Sequence, residues 1–278
     1  MFFIEILKAI AQGIVEGITE WLPVSSTGHI LLLDAFWKMN ASEEFFDVFK
    51  VVIQLGAILA VVILYFNKLN PFSLKKSAEE RKGTWVLWSK VLVASIPAAV
   101  VGLALDDLID GVLSTPVVIA AALIVYGIAF IIMESRKHHT AKVEKVEDIS
   151  YKHAFGIGAF QMLALIPGTS RSGSTILGAS LLGTSRTAAA EFSFFMAIPV
   201  MLGASGLKLV DALLLDNVTF TTEEWILLAI ATVVSFVVSL LVIRGLMAFI
   251  KKHSFKPFGW YRIVLGAVVL GCVAMNWL

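Results

Sequence analysis

The sequence predicts an all-α polytopic membrane protein, arranged as two inverted-topology repeats with re-entrant helix-loop-helix segments in the manner of a transporter. Three observations predict it: the apolar composition, the placement of charged loops, and a pair of polar motifs that recur in the two halves. Of 278 residues, 58% are hydrophobic and 15% charged, with a mean hydropathy of +0.88, far from a soluble domain of this length. In lipid the backbone finds no partner outside the chain, so spanning segments are helices or closed barrels; no alternating barrel pattern is present. A formal net charge of +1 speaks against nucleic acid as a partner. The single Cys272 excludes an intrachain disulfide and a cysteine-based metal cluster.

The elements follow in chain order. The N-terminal MFFIEILKAIAQG lacks the basic region and small-residue cleavage site of a secretory signal and is expected to be retained. The segment that continues from it is moderately apolar and broken by Gly13, Gly17 and Pro23, which suits a short helix that enters the membrane and turns back. Apolar stretches at 51–66, 91–105 and 117–133 are each close to the ~20 residues that cross the hydrocarbon. A second broken segment carries Gly156, Gly158, Pro167 and Gly168, and three further stretches follow at 187–209, 225–243 and 262–278. Basic residues collect in Asn67–Lys90, Arg136–Lys152 and Arg244–Arg262, which makes those loops cytoplasmic by the positive-inside rule. The intervening loops hold Asp106, Asp107 and Asp110, then Asp211, Asp216, Glu223 and Glu224. Counting helices from there places both termini outside.

The halves repeat. "LPVSSTG" at 22–28 matches "IPGTSRSG" at 166–173 with one residue inserted, and "EFFDVFKVVIQLGA" at 44–57 matches "EFSFFMAIPVMLGA" at 191–204 without a gap. The first copy runs into the basic loop at Lys68 and the second into the acidic loop at Asp211, so the copies are expected to lie inverted. One integral-membrane domain, 1–278, then consists of approximate repeats 1–133 and 153–278 joined by a cytoplasmic connector, 134–152.

The polar motifs carry the chemistry. Glu16 and Glu20 are four apart, on one helix face that Gln12 extends by a turn; on an apolar helix they read as satisfied interfacial acids, a divalent-cation site or a base. In Pro23-Val24-Ser25-Ser26-Thr27-Gly28-His29, Ser25 or Ser26 can cap the helix that follows. The exposed N–H groups of such a helix start suit a phosphate. Beside Glu20 and Ser26, His29 is a candidate acid, base or nucleophile. The second motif, Thr169-Ser170-Arg171-Ser172-Gly173, adds a permanent cation whose fork of donors matches phosphate oxygens. Carboxylates for a metal on one side and an arginine on the other make a phosphoryl-transfer site.

The motifs "EGITE" at 16–20, "PVSSTGH" at 23–29 and "PGTSRSGST" at 167–175, with "VVIQLGAILAVV" and "AAEFSFFMAIPVMLGA", closely resemble those of the bacterial undecaprenyl-pyrophosphate phosphatases of the bacitracin-resistance type, over essentially the whole chain. The resemblance implies a multi-pass hydrolase of the bacterial cytoplasmic (inner) membrane. Such an enzyme removes the terminal phosphate of the polyprenyl diphosphate carrier on the extracytoplasmic side, so that the carrier is reused in peptidoglycan synthesis. It implies Glu16 and Glu20 as ligands of Mg2+ or Ca2+, Ser26 as nucleophile, His29 as competing nucleophile or proton-transfer partner, and Arg171 as the phosphate-binding cation. Ser25, Thr27, Thr169, Ser170 and Ser172 are expected to bind substrate. The lipid substrate and the bilayer are the implied partners, and a homodimer is admitted. The type 2 phosphatidic acid phosphatase pattern fails, because the positions of its histidine and aspartate after Ser170-Arg171 are Leu177 and Leu181. The alternative is a transporter or flippase of polyprenyl phosphate or another anion without hydrolysis.

Overall fold

A computed structural model of the chain describes residues 2–105, 113–135, 141–215 and 218–278. Asp106, Asp107, Asp110, Arg136 and Asp216, which carry part of the loop-charge reading, lie outside the described residues. The described residues are helical throughout and include no strand beyond one isolated bridge, Val143 to Thr184. In order the helices are α1 (Phe2–Thr19), α2 (Ser26–Phe36), α3 (Glu43–Val52), α4 (Gln54–Leu64), α5 (Phe66–Leu69), α6 (Ala78–Ala104), α7 (Pro116–Ser135), α8 (Tyr151–Gln161), α9 (Arg171–Leu181), α10 (Arg186–Val210), α11 (Thr222–Ile250) and α12 (Lys256–Ala274). Among the described residues six segments are long and apolar enough to span a membrane: Glu43–Leu64, Ala78–Ala104, Pro116–Ser135, Arg186–Leu215, Thr222–Ile250 and Lys256–Ala274. The chain is a multi-pass membrane protein.

Helix starts are chemically marked. Ser77 with Glu80 and Thr221 with Glu224 form capping boxes, and Ser42, Ser150 and Ser185 each accept a backbone N–H of the first turn. These signals override charge in fixing boundaries. Lys82 and Lys90, read as part of a basic loop, belong to α6 because the Ser77–Glu80 box starts that helix beforehand. The third basic cluster is corrected more sharply. Arg244 lies within α11, and Arg262 is fully buried in α12; the linker between those helices is Lys251-Lys252-His253-Ser254-Phe255.

Two helical hairpins enter the bundle from opposite ends. The α1–α2 hairpin is closed at its base by Lys8 to the Lys38 carbonyl at 2.6 Å and by the Asn40 N–H to Glu5 at 2.9 Å, near Phe45 and Phe220, where the α3 and α11 spans begin. The α8–α9 hairpin has its base at the other end, where Tyr151 meets Ser89 of α6 at 2.7 Å and His153 meets the Leu182 carbonyl at 3.2 Å. Both rising helices pack on a long span through glycine. A Cβ on Gly13 would stand 2.5 Å from the Ala231 carbonyl oxygen of α11, and one on Gly158 would stand 2.2 Å from that of Ala94 in α6. Only glycine lets those backbones approach so closely.

The connector is more than a linker. Although charged overall, it buries Val143, Val146 and Ile149 in the main core with Phe130, Ile157 and Phe255. Its backbone joins residues 183–185 through three hydrogen bonds. Glu134 and Ser135 end α7, and Tyr151 begins α8.

Candidate active site

The hairpin tips meet inside the bundle. Helical bonding in α1 continues one residue past its end, with the Glu20 N–H on the Glu16 carbonyl at 3.0 Å, so Gln12, Glu16 and Glu20 stay on one stripe. The chain then turns through buried Trp21 and re-enters helix at Ser26. The opposite tip does the same before Arg171. Ser25 and Ser170 stand just before these starts, and each has φ of 73°, a left-handed conformation that costs a residue with a Cβ about 1–3 kcal/mol. The two serines are 145 positions apart, as are Gly13 and Gly158, so the tips match here without the inserted residue that the sequence alignment required. Ser170 caps its helix by accepting the Gly173 N–H at 3.1 Å. Ser25 does not: its hydroxyl is buried with no partner and α2 has no side-chain cap. The expectation that Ser25 or Ser26 caps α2 is therefore corrected. Ser170 caps its helix at the same φ, so the backbone does not forbid a cap; the Ser25 hydroxyl makes no bond to the helix start, and the Ser26 hydroxyl donates to Glu20 instead.

Glu20 is the hub where the tips join. The Ser26 hydroxyl donates to Glu20 Oε2 at 3.1 Å, and Arg171 Nη2 donates to Glu20 Oε1 at 3.0 Å. Arg171 Nη1 donates to the Ser193 carbonyl at 2.6 Å. Its guanidinium also lies 5.6 Å from the centre of the Trp21 ring. The Arg171 Nε–H is buried with no acceptor, an unused donor in a guanidinium whose other arms are committed. Ser172 donates to the Glu20 carbonyl at 2.9 Å and bonds Ser170 at 3.2 Å. The pair Glu20–Arg171 is nearly out of solvent, with side chains 6% and 11% exposed; deleting one partner of such a pair typically costs about 3–5 kcal/mol.

Back along α1 toward the hairpin base, both carboxylate oxygens of Glu16 and the carbonyl oxygen of Gln12 are buried without a hydrogen-bond partner. Together with Glu20 they form an oxygen-only donor set, the chemistry that hard cations such as Mg2+ and Ca2+ take. Among the described residues no three His, Cys, Asp or Glu side chains gather as a metal site, so such an ion would rely on the two carboxylates, the amide and groups from substrate or water.

The remaining sequence candidates are dispersed around this hub. Thr27 is exposed beside Ser26, and Thr169 is buried with its hydroxyl unpartnered. His29 meets neither Ser26 nor Glu20. Its Nδ1 lies 2.7 Å from the Ser25 carbonyl and its Nε2 lies 2.6 Å from the Tyr261 hydroxyl.

A cavity of about 500 Å³ reaches Ser26 and Thr27. Its walls include Asp34, Lys38, Phe46, Lys50, Gln54 and Pro167. Gln54, the first residue of α4 after the break at Ile53, also stands on its wall.

Sequence reasoning missed several residues of this assembly. Arg262 donates to the Pro23 carbonyl at 3.2 Å and to the Gly168 carbonyl at 2.9 Å, and so fastens one tip to the other. By sequence it counts with the loop charge; its place at the head of an apolar stretch is the available signal. Trp21, Ser193 and Tyr261 are ordinary as isolated letters, and only the packing reveals them.

The family model for "Bacitracin resistance protein BacA" matches residues 9–268. A protein of Enterococcus faecalis named undecaprenyl-diphosphatase is 57% identical over 272 residues, covering 98% of both chains. One of Lactiplantibacillus plantarum with the same name is 55% identical over 269 residues, covering 96% of this chain and 98% of its own. Undecaprenyl-diphosphatase 1 of Clostridioides difficile is 56% identical over 267 residues, covering 96% of each. With a family model and close relatives spanning almost its whole length, the chain belongs to the bacitracin resistance protein BacA family.

Proposed function

We propose that this membrane protein is an undecaprenyl-diphosphatase, hydrolysing the polyprenyl diphosphate carrier to monophosphate and phosphate. One observation carries the reading at the level of atoms: a serine hydroxyl on a cavity wall donates to a carboxylate that also holds an arginine with a spare donor. In the proposed reaction Ser26 Oγ attacks the terminal phosphorus and passes its proton to Glu20 Oε2. The bridging P–O bond breaks and its electron pair leaves with the lipid monophosphate. Water then attacks the phosphoserine, freeing phosphate and restoring Ser26. Serine is a weak nucleophile unless a base lies within reach, which is the part Glu20 plays. Arg171 is placed to bring its guanidinium onto the equatorial oxygens. A divalent ion held by Glu16 and Glu20 with Gln12 would neutralise charge on the same phosphate.

The tail and the sidedness fit together in this reading. The cavity lining includes Lys38, Ser42, Glu43 and Ser114, at the ends of spans whose far ends lead to Lys68 and to residues 136–152. The basic side being cytoplasmic, the cavity opens extracytoplasmically, and the apolar Ile30, Leu31, Phe46 and Val51 on its walls suit the first isoprene units. Both chain ends lie at that same end of the bundle: Phe2 joins the cluster of Met39 and Phe45, and Trp277 packs on Phe36. The two hairpins, entering from opposite ends, support the inverted-repeat reading. Every side chain named in this scheme comes from one chain.

Phosphate release from undecaprenyl diphosphate by the purified protein in detergent tests the proposal. Wild type should turn over and Ser26→Ala should not, while still binding the lipid. Detergent removes the second compartment, so a carrier without hydrolase chemistry would release no phosphate.

A further inference from the structure

The hydrogen bonds at His29 have only one consistent arrangement for a neutral ring. A backbone carbonyl accepts and never donates, so the 2.7 Å contact with the Ser25 carbonyl puts the proton on Nδ1. Nε2 then carries the lone pair, and the Tyr261 hydroxyl at 2.6 Å donates to it. The rings lie 6° from parallel with centres 5.5 Å apart. The nitrogen that would have to attack phosphorus, or take a proton, is already occupied.

The surroundings agree. Ser26, Thr27, Ile30, Leu31 and Asp34 of α2 line the cavity at Ser26, whereas His29 is not among its lining residues. The proton of Ser26 is directed to Glu20 instead. The Nδ1–H, for its part, holds the carbonyl of Ser25, whose φ of 73° is unfavourable and whose own hydroxyl makes no cap. Two consecutive residues of α12 thus grip the same turn: Tyr261 through His29, and Arg262 directly at the Pro23 carbonyl.

We propose that His29 and Tyr261 are a positioning couple. Tyr261 fixes the Nδ1–H tautomer of His29, and His29 ties down the strained Ser25 turn that presents Ser26; the imidazole neither attacks phosphorus nor receives the serine's proton. The inference rests on the hydrolase reading above and deepens it by separating the group that reacts from the group that holds it in place.

Asparagine separates the two roles, because its side-chain N–H sits near the place of Nδ1–H and can donate to the same carbonyl, yet it is neither a base nor a nucleophile. With undecaprenyl diphosphate as substrate, His29→Asn should keep turnover within about tenfold of wild type, the scale of one imperfect hydrogen bond, and His29→Ala should fall clearly below it. Tyr261→Phe should lower kcat by no more than about tenfold on the same scale with KM unchanged. If His29 is base or nucleophile, His29→Asn should lose about a hundredfold or more; that loss, in a variant with wild-type thermal unfolding, overturns the proposal. Nitrogen NMR of histidine-labelled protein, with the His29 signals assigned by their loss in His29→Asn, gives a readout independent of turnover. Wild type should show the proton on Nδ1, and Tyr261→Phe should move the Nε2 resonance. A proton on Nε2 in wild type overturns the couple. An inactive wild type would instead remove the hydrolase reading, and the tautomer would still decide the couple.

Discussion

At the scale of single residues, the site depends on what each group can donate or accept at Glu20. Glu20→Gln keeps the size of the side chain but replaces one acceptor oxygen with a donor that faces either Ser26 or Arg171. Phosphate release should drop by about two to four orders of magnitude, the range for a lost general base, while the protein remains extractable and folded; near-normal turnover would remove Glu20 from the reaction. Arg171 contributes geometry as well as charge, since it reaches Glu20 and Ser193 at once with Nε–H to spare. Lysine retains the charge without the fork. Both Arg171→Lys and Arg171→Ala should therefore lose turnover, the alanine variant by at least about a hundredfold, and a lysine variant with near-normal turnover would reduce Arg171 to a point charge. These residues were legible in the sequence because an arginine and two carboxylates on apolar helices have few structural reasons to be there. Arg262 has the same property and was misread, since its neighbours Lys251, Lys252 and Lys256 made it resemble loop charge. Tyr261 was not legible at all, because its role is a contact with His29 across 232 positions.

At the scale of elements, the hairpins hold their tips in register by close packing on the long spans. Gly158→Val would drive a branched side chain into the Ala94 backbone and should destabilise by about 1–3 kcal/mol, as overpacking does. Gly203→Ala, inside α10 where a Cβ meets nothing within 4 Å, should instead stabilise by up to about 1 kcal/mol. Thermal unfolding in detergent separates the two, and equal effects would contradict the packing account. The connector is held by Lys68, which bridges Glu147 and Glu191 at 2.7 Å each. Burial alone would lower the Lys68 pKa, but the bonds to Glu147 and Glu191 outweigh it and raise it. At Glu147 burial would raise the pKa, and the bond from Lys68 outweighs it and holds it below the usual carboxylate range. The lysine's contribution to stability is thus fully present below its unfolded pKa and lost as pH rises through the raised value. The glutamate's is present above its unfolded pKa and lost as pH falls through the lowered one. Melting temperature should be flat near neutrality and fall towards both extremes, and Lys68→Met should weaken both limbs; an unchanged profile would deny the bridge a role. The spans themselves could be read from apolar length, and their number agrees with the six stretches of the sequence. Their ends could not, because capping hydroxyls inside charged runs set them, as at Ser77.

At the scale of the whole molecule, the fold brings two polar turns from opposite ends to one buried junction and leaves a cavity open on the side away from the basic loops. Single cysteines at Lys75 and Glu223, in a Cys272→Ser background, should be labelled from opposite sides of the membrane, Lys75 from the cytoplasm; labelling of both from one side would overturn the orientation. Exposed tryptophans stand at both ends of the bundle, Trp225 and Trp277 at one and Trp85 and Trp260 at the other, where interfacial aromatic belts belong. Fold class and the polar side chains that meet at the tip junction were legible because lipid allows few solutions and because polar groups in it are costly. The way the halves lock together was not, because it rests on backbone carbonyls held by Arg262 and Ser172, which leave no trace in residue identity. The central claim is that a side chain of the tip junction, Ser26, takes the phosphoryl group before water does. The stereochemical course at the terminal phosphorus tests it most directly, using undecaprenyl diphosphate made chiral there with oxygen isotopes. Two successive in-line displacements predict overall retention of configuration; inversion would mean that water attacks directly and that Ser26 only positions the substrate.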